Sequence, residues 1–316
     1  MSGPRIVAFG ETMALFRAAE VGSLATESAF TLSIGGADSN VAIGVTRLGV
    51  SATWVGRVGR DPLGDRIIRE LRAEGIDVRA TVDPAAATGL MVKERRTSTA
   101  TRVLYYRSAS AGSRLEASDI AAAGIDTASL LHVTGITPAL SESAAQATIA
   151  AIADATAAGI PVSFDVNHRA TLWKDRDPSS VYRDIAGRST VFFGGEAEAR
   201  MLAPTATTIE QLAAAIAELG PTQVIIKLGD EGCYALIDGV EYRQSALRIH
   251  VVDTVGAGDA FVAGYLAELV LGEAPGARLA TAVATGAFAC LNPGDWEGYA
   301  TRDDLLTLGA DDPVSR

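Results

Sequence analysis

Cysteine is scarce in this 316-residue chain, which has only Cys233 and Cys290. Two isolated thiols exclude a disulfide framework and offer no zinc-ligand spacing, so both are expected as buried free cysteines. Long apolar runs are missing too, because charge, Gly or Pro interrupts each one before it reaches membrane-span length. The opening "MSGPRIVAFGETM" lacks the positive flank and long apolar core of a signal peptide. A cytoplasmic protein with no membrane partner is therefore expected. Positive charge is also in deficit: 27 Lys and Arg face 38 Asp and Glu, a formal net charge of -11. With no long basic run, nucleic acid is disfavoured as a partner. An anionic small molecule is not, since a pocket needs only local Arg, Lys, metal or backbone N–H groups.

What the chain does have is 48% hydrophobic residues and 32 glycines, the composition of a folded α/β protein. Its length suits one catalytic unit, residues 1–316, carrying a smaller elaboration. "RIVAFG" at 5–10 reads as a first buried strand and "FTLSIGG" at 30–36 as a strand ending in a glycine turn. A helix from Asp38 to Leu48, the strand "ATWVGRVG" and a helix from Pro62 to Ala73 follow. From residue 129 strands and helices alternate again, and "GCYALIDGVEYRQ" forms a hairpin at Asp238-Gly239. Helices near 258–271, 276–291 and 302–308 close the chain. This order predicts a mostly parallel sheet covered on both faces, with ligands outside the carboxyl ends of its strands. Residues 88–107 alternate too often for a crossover helix. They read as a strand pair sharing a small sheet with residues 12–34, and such a sheet could serve as a lid.

Several segments carry chemistry. In "VVDTVGAGDAF", Gly256, Ala257 and Gly258 can expose backbone N–H groups at a helix start, which suits phosphate charge. Asp259 could take a proton from a substrate hydroxyl, or it could be an ordinary helix cap. The stretch is neither G-x-G-x-x-G nor a Walker A loop, which argues against a dinucleotide fold. "GGADSN" puts Gly35 and Gly36 before a helix, where Asp38 or Asn40 can bond polyol hydroxyls or serve only as cap and local backbone partner. In "VLYYRSASAGSRL", strand alternation sends Tyr105 and Arg107 to one face and Tyr106 to the other; Arg beside an aromatic ring can bind a carboxylate. "VSFDVNHRATLW" brings Asp165, Asn167, His168 and Arg169 to a strand's carboxyl end. Arg169 is the better ligand candidate there, while Asp165 could pair with Arg169, and His168, without an orienting partner, is read as structural. Gly229 and Gly232 in "IIKLGDEGC" can border a nucleotide phosphate or form a plain turn. In "NPGDWEG", Asp295 is available to a hydroxyl and Trp296 is a packing anchor.

The order of these segments resembles the ribokinase-like, or PfkB, family of carbohydrate kinases over nearly the whole chain. "GGADSNVAIGVTRLG" is similar to that family's N-terminal glycine-rich signature and "DTVGAGDAF" to its C-terminal one. "YYRSASAGSRL", "GITPAL", "DVNHRATLW" and "GDWEG" resemble the 2-keto-3-deoxygluconate kinase branch. The resemblance implies a three-layer αβα core with a small β-sheet lid that can support homo-oligomer contacts. It also implies phosphoryl transfer from ATP, with Mg2+, to the terminal primary hydroxyl of a sugar or sugar acid. Asp259 matches the general base, and the Ala257 and Gly258 amides match the phosphoryl-binding donors. Gly35, Gly36, Asn40, Tyr105, Arg107, Arg169 and Asp295 match substrate-side positions, and Gly229 and Gly232 the nucleotide-side turn. Three departures stand out. Gly195 replaces the Asn of an Asn-x-x-Glu motif whose glutamate is Glu198, a metal candidate acting through water. Met91 and His168 stand where an aromatic residue and a tyrosine are often seen. Two other classes are weighed beside the kinase: a sugar- or nucleotide-binding protein without turnover, and a dehydrogenase.

Overall fold

A computed structural model describes residues 3–97, 101–174 and 176–308. In chain order the strands are β1 (Arg5–Phe9), β2 (Met13–Val21), β3 (Phe30–Gly35), β4 (Ser51–Gly59), β5 (Asp77–Asp83), β6 (Leu90–Arg95) and β7 (Thr101–Tyr106). Then come β8 (Leu130–Thr134), β9 (Val162–Asp165), β10 (Val191–Gly195), β11 (Gln223–Lys227), β12 (Cys233–Ile237) and β13 (Val240–Gln244). Nine of them form one sheet in the order β13-β12-β11-β10-β9-β8-β1-β4-β5, and β3-β2-β6-β7 form a second. The large sheet is parallel from β5 to β11 and ends in the antiparallel hairpin β12–β13.

Burial explains why the central strands are apolar on both sides. Neighbouring residues of one strand point to opposite faces, and each face has its own core. Ile6, Phe193 and Ile225 pack with the helices Ala37–Arg47 and Ala257–Val270. Their neighbours Val7, Phe192 and Val224 pack with the helices Glu142–Ala157 and Ile209–Ala217 on the other side. Cys233 and Cys290 are free and buried, as expected.

The expected elements are present with small boundary changes; the first helix, for example, runs Ala37–Arg47. The Pro62–Ala73 helix is capped by Asp61, whose side chain accepts from the Leu63 and Gly64 N–H groups. The segments 12–34 and 88–107 do share the smaller sheet, with residues 98–100 outside the described set. Edge strand β5 carried no sequence expectation, because its "DVRATVD" has only one face half-buried and no apolar run.

The strand order turns back at β1. The chain runs from β1 to β4 and β5 on one side, then returns through β8, β9, β10 and β11 on the other. Such a switch point opens a crevice at the carboxyl ends of the strands. The residues just beyond β1, β8 and β9 reach into it.

Candidate active site

The helix Ala257–Val270 begins at Gly256, which has φ 79° and ψ -11°. A Cβ there would collide with the Asp295 carbonyl, so both conformation and space demand glycine. The turn leaves donors at the helix start. The Ala257 N–H makes a long 3.3 Å bond to the Thr254 carbonyl, and no backbone acceptor among the described residues takes the Gly258 N–H.

Asp259 does not cap this helix. Gly256 occupies the cap position, and Asp259 instead accepts side-chain bonds from Asn40 Nδ2 at 2.8 Å and Asn167 Nδ2 at 3.1 Å. Asn40 therefore is not a local backbone partner; it spans to Asp259 and, at 3.3 Å, to Asp295. The span exists because the helices Ala37–Arg47 and Ala257–Val270 touch where Gly44 meets Ala263. Burial pushes the Asp259 carboxyl up to about 7; the Asn40 bond opposes this, and the Asp165 and Asp295 charges reinforce it. Asp295 is raised to about 6, chiefly by burial, with Lys93 and Asn40 holding it down. Asp38 is raised well above its ordinary value by burial and the Asp259 charge; its Oδ2 accepts from Thr134 Oγ1 at 3.3 Å.

One cleft is lined by Gly36, Asn40, Tyr105, Arg107, Arg169, Gly256, Asp259 and Asp295 together. Gly35 lies behind this wall, where a Cβ would strike Asp295 Oδ2 and the Met91 side chain. Met91 supplies an apolar surface. Tyr106 points away from the cleft and is 61% exposed, in line with the strand alternation. Arg107 is not a surface Arg: it is buried, pairs with Glu11 at 2.5 Å and 2.6 Å, and lies 5.8 Å from the Tyr105 ring centre. Ser110 Oγ also donates to Glu11. Arg169 is left as the cleft cation with no acid pairing it among the described residues; its Nη1 donates to the His168 carbonyl at 3.2 Å.

Asp165 departs from expectation, because its partner is Lys227, at 2.8 Å and 3.1 Å, rather than Arg169. Burial works against the Lys227 charge, but Asp165 and Glu198 outweigh it and raise its pKa. Lys227 ends β11 and lies 3.8 Å from where a Gly258 Cβ would be, which joins the β11 turn to the helix start. In that turn Gly229 and Gly232 have φ 62° and 102°. His168 Nδ1 meets Tyr182 Oη at 3.0 Å, a packing role. Trp296 is buried with its indole N–H on the Ile34 carbonyl at 3.0 Å, the anchor expected of it.

The helix-start donors and Lys227 fit an anionic phosphate chain. A caged divalent ion has less to hold it: no group of three or more His, Cys, Asp or Glu among the described residues could hold a metal. Glu198 gives its two oxygens to the His168 and Gly195 N–H groups, each at 2.7 Å, so a metal would meet it through water. Glu11, Lys93 and Lys227 had no sequence signal, because the partner of each lies 62 or more residues away.

A buried carboxylate with its pKa raised to about 7, in a cleft beside a helix start whose Gly258 N–H has no backbone acceptor among the described residues, fits a phosphotransferase with an alcohol acceptor. The chain belongs to the pfkB family of carbohydrate kinases, whose pattern matches residues 4–301. It is similar to the 2-dehydro-3-deoxygluconokinase of Bacillus subtilis, 38% identical over 96% of this chain and 94% of that one. It is also similar to the 2-dehydro-3-deoxygalactonokinase of Haloferax volcanii, 31% identical over 98% of this chain and 99% of that one. A solved candidate ribokinase II from E. coli, in complex with ATP and Mg2+, has a TM-score of 0.88 at 25% identity, covering 97% of this chain and 98% of that one.

Proposed function

We propose that this kinase transfers the γ-phosphoryl group of ATP to the terminal primary hydroxyl of 2-keto-3-deoxygluconate, yielding the 6-phosphate and ADP. Asp259 takes the hydroxyl proton as the oxygen attacks phosphorus and the bond to the β-phosphate oxygen breaks. The Ala257 and Gly258 amides, with Gly256 shaping the turn, receive the charge on the transferring group. Gly35, Gly36, Asn40 and Asp295 hold the hydroxyls beside Asp259. Gly229 and Gly232 border the nucleotide. Mg2+ would neutralise phosphate charge there, and Glu198, with both oxygens taken by backbone N–H groups, would meet it only through water.

The observation that carries the acid assignment is Arg169, a cleft cation with no acid pairing it among the described residues, beside Tyr105 and an Arg107 already neutralised by Glu11. A sugar acid would give that guanidinium a carboxylate partner, which a neutral sugar does not offer. The second reading is the 4-epimer, 2-keto-3-deoxygalactonate, because the Haloferax relative carries that activity in its name; fructose is the neutral-sugar control. Purified protein with ATP and Mg2+, assayed across these acids and neutral sugars, tests the assignment. Preference for 2-keto-3-deoxygluconate supports it, and preference for fructose, ribose or a nucleoside over both acids overturns it. Ligand binding without any turnover would point to a non-catalytic protein of the same fold.

In the same reading residues 1–316 are one catalytic unit and the smaller sheet, from 12–34 and 88–107, is its lid. The exposed Val21, Phe30 and Tyr106 on that sheet support homo-oligomer contacts there. No helix among the described residues is long and apolar enough to cross a membrane, and a cytoplasmic enzyme without membrane or nucleic-acid partners fits the acidic chain.

A further inference from the structure

Lys93 stands on β6, two residues after Met91, and its side chain is 0% exposed. An ammonium withdrawn from water costs several kcal/mol unless its surroundings answer the charge. Two groups do so. Lys93 Nζ donates to Asp253 Oδ2 at 2.6 Å and to the Gly294 carbonyl at 2.9 Å. Asp253 lies three residues before Gly256, and its Oδ1 accepts the Val255 N–H at 3.2 Å. Its Oδ2 also faces the Gly294 N–H at 3.4 Å. Gly294 precedes Asp295, whose carbonyl abuts Gly256 and whose side chain meets Asn40. One ammonium from the smaller sheet therefore ties together the segment leading into the phosphate turn and the segment carrying Asp295. Without a cation, the buried Asp253 carboxylate would keep only backbone N–H partners, its charge would go uncompensated beside the Gly294 carbonyl, and both groups flank the turn.

We propose that Lys93 is a tethered cation that positions the phosphate turn, so that the geometry of Gly256–Gly258 depends on β6 and not on a free monovalent ion. The proposal rests on the assignment of that turn to the transferring phosphoryl group. Lys93 bonds neither Asp259 nor the turn amides; it acts through Asp253 and Gly294 and is a positioning residue. A second consequence is mechanical: any shift of β6 relative to the large sheet is felt at the turn.

The test compares wild type, Lys93→Met, Lys93→Arg and the double variant Lys93→Met/Asp253→Asn. Each is assayed with Mg2+-ATP in buffers whose monovalent cation is tetramethylammonium, potassium or ammonium, and melting temperature is recorded for each. Wild-type kcat is expected to agree within about twofold across the three buffers. Lys93→Met is expected to lose about 10²-fold in kcat in tetramethylammonium, with a smaller change in the KM for sugar. Potassium or ammonium, small enough to sit between the two oxygens, should recover about tenfold of that loss, whereas Lys93→Arg keeps most of the rate. The double variant, with no buried charge left over, should melt near wild type and stay slow in all three buffers. Wild-type kcat in Lys93→Met or in the double variant overturns the proposal, as does a wild-type enzyme that itself needs potassium. So does a Lys93→Met loss that neither small cations nor Arg relieve. If Lys93→Met does not fold, the double variant alone decides. Normal turnover by Asp259→Asn would instead indict the site assignment, leaving the cation arms to judge Lys93 separately.

Discussion

At the end of the cleft formed by the glycine turn the geometry is set by backbone: Gly256 at φ 79°, a helix start and a Gly258 N–H that no backbone acceptor among the described residues takes. At the other end it is set by side chains arriving from separate segments, namely Asn40, Met91, Tyr105, Arg107, Arg169 and Asp295. The first kind of constraint is contiguous and tolerates little, since one added methyl at Gly256 meets the Asp295 carbonyl. The second is distributed over segments far apart in the chain. On the proposed assignment, the turn serves the chemistry and the distributed side chains choose the acceptor.

The sharpest way to break this contrast is Gly256→Ala. The strained backbone and the collision should displace the amides and lower kcat by about 10²–10³-fold for every acceptor alike. Acid-selective loss would instead show that the turn also reads the sugar. Next comes Arg169→Leu, which should lower kcat/KM for the sugar acid by about 10- to 150-fold, the worth of charged hydrogen bonds, while a neutral sugar loses little. Equal losses for both acceptors would remove Arg169 from specificity. A smaller, graded effect follows from pH. With Asp259 held up to about 7 mainly by burial, its base form is lost below that pH, and kcat/KM should fall about tenfold per pH unit toward acid. Stability runs the other way. A carboxyl that binds its proton more tightly when folded contributes stability below its ordinary 3.8, and this is lost as pH rises through about 7. The wild-type minus Asp259→Asn difference in unfolding free energy should therefore decline across that window; a flat difference would contradict the raised carboxyl.

The same contrast explains what could be read from the chain. Strand and helix order was legible because apolar runs and turn residues are local signals, and the glycine turn and helix start of "VGAGDAF" were legible because they are contiguous. For Asp259 the cap alternative falls away only with its two asparagine partners, one 219 residues away in sequence. Arg107 and Arg169 looked equivalent in sequence, yet Glu11 pairs with one of them only. Lys227 displaced Arg169 as the partner of Asp165 for a like reason: parallel strands bring the ends of β9 and β11 to the same rim, flanking β10, although 62 residues separate the pair. β5 was missed because an edge strand need not be apolar.

The base at the junction of the two ends is the central claim, and Asp259→Asn tests it most directly when turnover and sugar binding are measured on the same preparation. Calorimetric binding of 2-keto-3-deoxygluconate is expected close to wild type, with kcat lowered about 10²–10⁴-fold. Near-wild-type kcat in that variant would contradict it.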